Sequence, residues 1–250
     1  MAAMTEPIPA ATLILFREGL GQPDILMVER AAAMSFAGGA MVFPGGRVDP
    51  GDAVLAQAIA PALLDGAARI AAIRETLEET GIAIGFGDRP HPDAVAAMRA
   101  ALHDGAPMAT VLGDHLLDLE LLVPFAHWLP KHVEWKIFDT RFYIARAPDD
   151  AGEVVVDAGE TVSARWVRAA DMLAAADRDE ARIIFPTRRN LERLAQFESY
   201  EQALVDARRY HPPPVITPFA EERDGVPHLC IPEGAGYPVT AEPMDRAARG

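Results

Sequence analysis

The chain has 250 residues, 50% of them hydrophobic and 24% charged, which suits one globular domain with an appendage. Its 37 Asp and Glu against 23 Lys and Arg leave a formal net charge of -14, which repels polyphosphate backbones and argues against general nucleic-acid binding. One cysteine, Cys230, excludes a disulfide framework within the chain and a Cys-rich zinc site.

The opening run MAAMTEPIPAATLILF has a short apolar stretch with no Lys or Arg ahead of it, so a secretory leader is not expected. No apolar run has the length of a membrane span, and the expected location is cytoplasmic. Ala11 to Phe16 and Asp24 to Glu29 have strand length, with a turn between them at Gly19, Gly21 and Pro23. Ala40 to Phe43 is a third short strand, stopped by Pro44-Gly45-Gly46. Ala67 to Thr80 favours helix, with Gly81 in the C-terminal cap position. Ile82 and Ile84 then open a strand. Pro90 to Asp104 is a weakly amphipathic helix. Leu119 to Val123, Asp139 to Ala145 and Thr161 to Val167 are strands. Ala169 to Ala176 is a helix, and Thr187 to Arg209 is expected as one long helix. Residues 211–250, rich in Pro and Gly, are expected as an irregular tail packed in part through Val215, Ile216 and Phe219. Strands arrive in adjacent pairs between helices, which favours an α/β fold with a mixed sheet over a doubly wound parallel one.

The segment Arg74-Glu75-Thr76-Leu77-Glu78-Glu79-Thr80-Gly81-Ile82 carries the chemistry. On a helix, positions 75, 78 and 79 share one face, and like charges at 75 and 79 repel. A cation turns that repulsion into coordination, and hard oxygen donors suit Mg²⁺ or Mn²⁺. Arg74, four residues before Glu78, can hold that carboxylate from behind. The plain alternative is a solvated acidic face with an ordinary Arg74–Glu78 surface pair. His127 and His132 lack zinc-like spacing, and Trp128, Trp135 and Trp166 suit packing better than base stacking.

The context decides. Gly46 is followed by five residues and then Asp52, FPGG at 43–46 leads in, and RETLEETGI follows downstream. Together these resemble the signature of the Nudix hydrolases. Two features differ from that pattern: Asp52 stands where a Glu is usual, and residues 53–73 separate it from Arg74 in place of a seven-residue spacer. The extra residues, about 53–66, are expected to loop out, with Pro61 and Gly66 allowing the break, and Asp52 is expected in a structural contact or cap. ILMVERAAAMSFAGGAMVFPGG at 25–46, FDTRFYIA at 138–145, FPTRRNLERLAQF at 185–197 and IPEGAGYP at 231–238 are similar to the subgroup that cleaves coenzyme A or acyl-CoA, which includes the animal peroxisomal acyl-CoA diphosphatase.

The resemblance implies an α/β/α sandwich around a mixed sheet. It implies a hydrolase domain over 1–210, with the signature box at 46–82, and an extension over 211–250 packed on it. Glu75, Glu78 and Glu79 become ligands of Mg²⁺ or Mn²⁺, with the Gly46 carbonyl as a further donor and Arg74 orienting the glutamates. Glu160, just before a strand, becomes a further ligand or the general base; an exposed strand-edge Glu is the equal alternative. Arg30, Lys131 and Arg141 are candidates for substrate phosphates, with a surface role the commoner fate of an Arg such as Arg30 or Arg141. The expected activity is hydrolysis of CoA or acyl-CoA to 3′,5′-ADP and 4′-phosphopantetheine or its acylated form. The alternatives are ADP-ribose, NADH or a related diphosphate as substrate, or a non-catalytic nucleotide-binding regulator. The expected partner is a small-molecule nucleotide, with no nucleic acid and no membrane, and a homodimer is left open.

Overall fold

The strand Ile8–Arg17 (β1) buries both of its faces: Leu13 and Leu15 turn one way, Ile14 and Phe16 the other, and none is more than 1% exposed. A strand apolar on both sides belongs in the middle of a sheet covered twice. The computed structural model, which describes residues 6–19, 21–34, 37–130, 137–148, 151, 154, 156 and 160–247, places β1 there.

Along the chain follow Asp24–Arg30 (β2), Met41–Val42 (β3), Gly45–Arg47 (β4), the helices Pro50–Ile59 (α1), Gly66–Thr80 (α2), Pro92–His103 (α3) and Met108–Val111 (α4), then Val123–Trp128 (β5), Phe138–Arg146 (β6) and Thr161–Arg168 (β7). The helices Ala169–Asp177 (α5), Phe185–Leu194 (α6) and Tyr200–Arg209 (α7) come next, then Val215–Ile216 (β8), Phe219–Arg223 (β9), Val226–Cys230 (β10), Ala241–Pro243 (β11) and Met244–Ala247 (α8). The main sheet runs β3-β2-β1-β6-β5-β8, with β4 also on β1 and β7 also on β2. The β1–β6 and β5–β8 pairs are parallel and the others antiparallel, so the sheet is mixed as expected. One face packs against residues of α1 to α4 through Leu13, Leu15, Tyr143 and Ala145. The other packs against α5 to α7 through Ile14, Phe16, Phe142 and Ile144. This is an α/β/α sandwich.

Several boundaries differ from the sequence reading. The extra residues after Asp52 do not loop out. They continue α1, and a short turn at 60–65 returns the chain into α2, with Ala56 packed close to Gly66. Ile82 and Ile84 are buried in the core cluster that α2 also fills, but they lie outside any strand, and among the described residues the pairing nearby is an isolated bridge between Phe86 and Leu117. Gly85, at φ 78°, turns the chain there. Leu119 to Leu121 is a 3-10 turn, and the strand begins at Val123. The expected long helix splits into α6 and α7 because Ser199 is extended and its side chain accepts a bond from the Gln202 N–H, capping a new helix.

The tail is more ordered than its composition suggests. β8 extends the main sheet, and β9, β10 and β11 form a second antiparallel sheet. Asp224 and Gly225, both at positive φ (51° and 77°), make the tight turn of its hairpin. Ile216 is buried, whereas Val215 and Phe219 are exposed, so the expected three-residue anchor reduces to one. The stronger anchor is Tyr237, whose hydroxyl accepts from Trp128 Nε1 at 2.9 Å and donates to Asn190 Oδ1 at 2.9 Å. Trp128 is thus a packing residue, as read. Among the described residues no helix is long and apolar enough to cross a membrane.

Candidate active site

Three of the four acidic residues of interest come from the last turns of α2. Gly81 ends that helix in the left-handed region at φ 72°, its N–H donating to Leu77 O. Carbonyls at the helix end are taken up from α3: Arg99 donates to Glu78 O at 2.8 Å and to Glu79 O at 3.2 Å, and His103 Nε2 lies 3.2 Å from Glu78 O. The backbone of Glu78 and Glu79 is therefore clamped by a second helix.

The glycines of β4 pass directly against these glutamates. The Gly45 N–H donates to Glu79 Oε2 at 3.1 Å. A Cβ on Gly46 would lie 2.4 Å from the Glu75 carboxyl group, so the close approach requires glycine at that position.

Arg74 is the hinge pin of the site. Its Nε and Nη2 hold Asp52 at 3.2 and 3.0 Å, its Nη1 holds Glu75 Oε1 at 2.9 Å, and Nη2 also reaches Arg47 O at 2.9 Å. Glu78 stands 3.7 Å away and Asp49 3.6 Å. The sequence suggests Glu78 as the partner of Arg74; the two-point contact is instead with Asp52, which is 1% exposed. The other Asp52 contact accepts the Asp49 N–H at the start of α1, at 2.9 Å, so Asp52 is a cap and a structural anchor, as expected. Burial alone would lower the Arg74 pKa, but the bond to Asp52 and the charges of Glu75, Asp52 and Asp49 together raise it, and the guanidinium is permanently charged.

Glu160 arrives from far along the chain. Its carbonyl accepts the Ala31 N–H at 2.8 Å, which ties the start of β7 to β2, where Arg30 pairs with Thr161 beside a bulge. Glu75, Glu78, Glu79, Glu160, His103 and Thr161 then line one cleft of about 20 Å³. Burial pushes Glu75 up to about 7, against the pull of Arg74. Burial, then the charge of Glu75, push Glu79 up to about 8, against the Gly45 N–H and Arg30. Glu78 is raised as well, by burial first and then by Glu160, while Arg74 and His103 oppose the shift. Three carboxyl groups that resist ionisation together favour a compensating cation. Among the described residues no three His, Cys, Asp or Glu groups are already gathered as a metal cage.

The remaining candidates divide. Arg30 lies near enough to Glu79 to lower its pKa. Arg141 shares a row across one sheet face with Ala11 and Gly46, on the side that carries Glu75. His127 continues the same row and is paired with Asp139. Lys131, with His132 and Trp135, falls outside the described residues. Arg99, His103 and Thr161 had no signal in the sequence pattern, because each belongs to an element remote from the glutamate helix.

A NUDIX domain model matches residues 6–95. A crystal structure of a NUDIX hydrolase from Alicyclobacillus acidocaldarius is 30% identical and superposes with a TM-score of 0.72, over 81% of this chain and 97% of that one. A MutT protein structure from Methanosarcina mazei Go1 aligns at 15% identity and a TM-score of 0.47, over 78% of this chain and 97% of that one. A Caenorhabditis elegans protein bearing a nudix hydrolase name is 25% identical over 185 residues, 71% of this chain; the match spans only 57% of that relative's length. With the Alicyclobacillus relative covered almost end to end at this identity, the chain belongs to the Nudix hydrolase family.

Proposed function

We propose that the chain hydrolyses the phosphoanhydride bond of a nucleoside-diphosphate-linked compound at the cleft between α2 and the start of β7. The observation that carries this reading is the meeting of Glu75, Glu78 and Glu79, from the end of one helix, with Glu160, which directly precedes β7, around one small space. A solvated acidic face would not be buried, nor clamped by Arg74, Arg99 and the Gly45 N–H.

The residues fit a divalent cation. The donors are hard oxygens, their carboxyl groups resist joint ionisation without one, and Gly46 leaves the Glu75 carboxylate the space a Cβ would fill. Glu75, Glu78 and Glu79 are the proposed ligands of Mg²⁺ or Mn²⁺, with the Gly46 carbonyl as a further donor. The bound ion supplies positive charge where negative charge builds on the phosphate oxygens and lowers the pKa of nearby water. Arg74 fixes the Glu75 carboxylate by a charge-assisted bond and is itself fixed by Asp52. Glu160 is the proposed general base. Glu75 and Glu79 already have fixed partners in Arg74 and Gly45, while Glu160 reaches the same cleft from a different element, at the start of β7. Residues 1–210 form the proposed hydrolase domain and 211–250 an extension held on it through Tyr237.

The proposed substrate is CoA or acyl-CoA, giving 3′,5′-ADP and 4′-phosphopantetheine or its acylated form. Support comes from the likeness of residues 25–46, the helical insertion and the downstream segments to the CoA-cleaving subgroup. Steady-state kinetics on CoA, dephospho-CoA, an acyl-CoA, ADP-ribose and NADH with Mg²⁺ or Mn²⁺ test it. CoA compounds are expected to lead in kcat/KM. A tenfold lead for ADP-ribose or NADH, about 1.4 kcal/mol, rejects the substrate while leaving the hydrolase. Undiminished turnover in chelator rejects the metal.

A further inference from the structure

Thr161 is 1% exposed, and among the described residues its hydroxyl has no hydrogen-bond partner. A buried hydroxyl without a partner costs roughly 1–3 kcal/mol, so a fold keeps one where something else completes it. This hydroxyl belongs to a residue lining the glutamate cleft. The cleft measures about 20 Å³, and roughly 10–15 Å³ is the least that admits one water. Its walls offer several polar partners, as an ordered water requires.

We propose that Thr161 is a catalytic residue that holds the attacking water through its hydroxyl, an inference that rests on the hydrolase reading above. The bulge between Glu29 and Arg30 lies beside the pairing of Arg30 with Thr161, and Glu160 is anchored next to it by the Ala31 N–H. The backbone thus places Glu160 and Thr161 next to one another at the cleft. In the reaction the water oxygen forms the new bond to phosphorus and its proton passes to the Glu160 carboxylate. The bond from phosphorus to the bridging oxygen breaks, and the leaving phosphate departs with the electron pair. The threonine hydroxyl neither gains nor loses a proton; it fixes the direction of a water lone pair, the contribution of a positioned polar group.

The test is Thr161→Val, which keeps the shape and removes the hydroxyl, beside Thr161→Ser, which restores it. For the valine variant we expect kcat to fall about 100-fold, the scale of one lost positioned polar contact, with KM nearly unchanged. The serine variant should recover most of the rate. The valine variant should melt no lower than wild type, and its Mn²⁺ affinity, read by electron paramagnetic resonance without substrate, should match wild type. Unchanged kcat in the valine variant overturns the proposal. So does a rise in KM at constant kcat, which would make Thr161 a substrate contact, or a large loss of melting temperature or Mn²⁺ affinity, which would make it structural. Wild-type protein inactive on every diphosphate offered defeats the hydrolase reading and this inference with it. Active wild type with an equally active valine variant defeats this inference alone.

Discussion

Arg74 grips Asp52 at two points, 3.2 and 3.0 Å, across a sequence gap that α1 and a turn fill. The pair is buried on both sides, with side-chain exposures of 8% and 1%. Removing one partner of a buried ion pair leaves the other charge uncompensated, at about 3–5 kcal/mol. Asp52→Ala should therefore lose stability on that scale in urea melts. Its kcat, measured where the protein is folded, should fall far less than that of Glu79→Ala, because Asp52 touches Arg74 and the Asp49 N–H and does not line the cleft. Equal losses of kcat at the two positions, with both proteins folded, would place Asp52 in the chemistry.

In chelated protein the glutamates set a pH dependence of stability. Glu75 is held up to about 7 and Glu79 to about 8, from an ordinary 4.5, with burial the first cause of both. Between those limits the folded state keeps protons that the unfolded chain releases, so stability is greatest at the acid end and falls as pH rises through the window. Glu79→Gln removes the upper titration. With EDTA present, wild type should melt progressively lower from pH 5 to 8, and the variant should show a flatter curve and melt higher at pH 8. Mn²⁺ at pH 8 should raise the wild-type midpoint and barely move that of the variant, whose kcat should drop about 10²- to 10³-fold. A wild-type curve flat in EDTA would show that these carboxyl groups are not held neutral.

The glutamate helix was readable in the sequence because helical period alone puts positions 75, 78 and 79 on one face and Gly81 at the end. The Arg74–Asp52 pair was not: whether the intervening residues loop out or fold depends on the packing of α1 against α2. Nor were Arg99, His103 and Thr161, whose roles depend on how α3 and β7 are placed in space. The tail departs from its composition for a different reason. Pro and Gly content suggests an irregular chain, whereas the Asp224-Gly225 hairpin signal between two short strands points to order there.

Tyr237 tests the attachment of that tail. Its hydroxyl sits between Trp128 Nε1 and Asn190 Oδ1, each at 2.9 Å, in a buried setting. Tyr237→Phe keeps the ring contact with Trp128 but strands a buried indole N–H and an amide oxygen. A loss of about 1–3 kcal/mol for each unsatisfied group sets the scale. The variant should be destabilised in urea, with faster hydrogen exchange in residues 226–243 and unchanged kcat in the folded protein. An unaltered urea midpoint would mean that the tail is held elsewhere.

Variants of Arg141 and Arg30 test the two proposed phosphate contacts separately. Arg141 is two strands from Gly46 along one row, about 10 Å at the usual strand spacing. Among the described residues it makes no ion pair. Its reach suits a phosphate one substituent removed from the scissile diphosphate, such as the 3′-phosphate of CoA. Arg30 stands by Glu79, where the diphosphate itself would lie. Charge-assisted hydrogen bonds contribute about 1.5–3 kcal/mol, so a lost contact should cost about 10- to 100-fold in kcat/KM. Arg141→Gln should show that loss with CoA, chiefly in KM, and little with dephospho-CoA. Arg30→Gln should weaken both substrates alike. Kinetics of the two variants on the two substrates form a four-way comparison. Equal effects of Arg141→Gln on CoA and dephospho-CoA would remove the 3′-phosphate from its reach, and no effect on either would leave it a solvated strand residue.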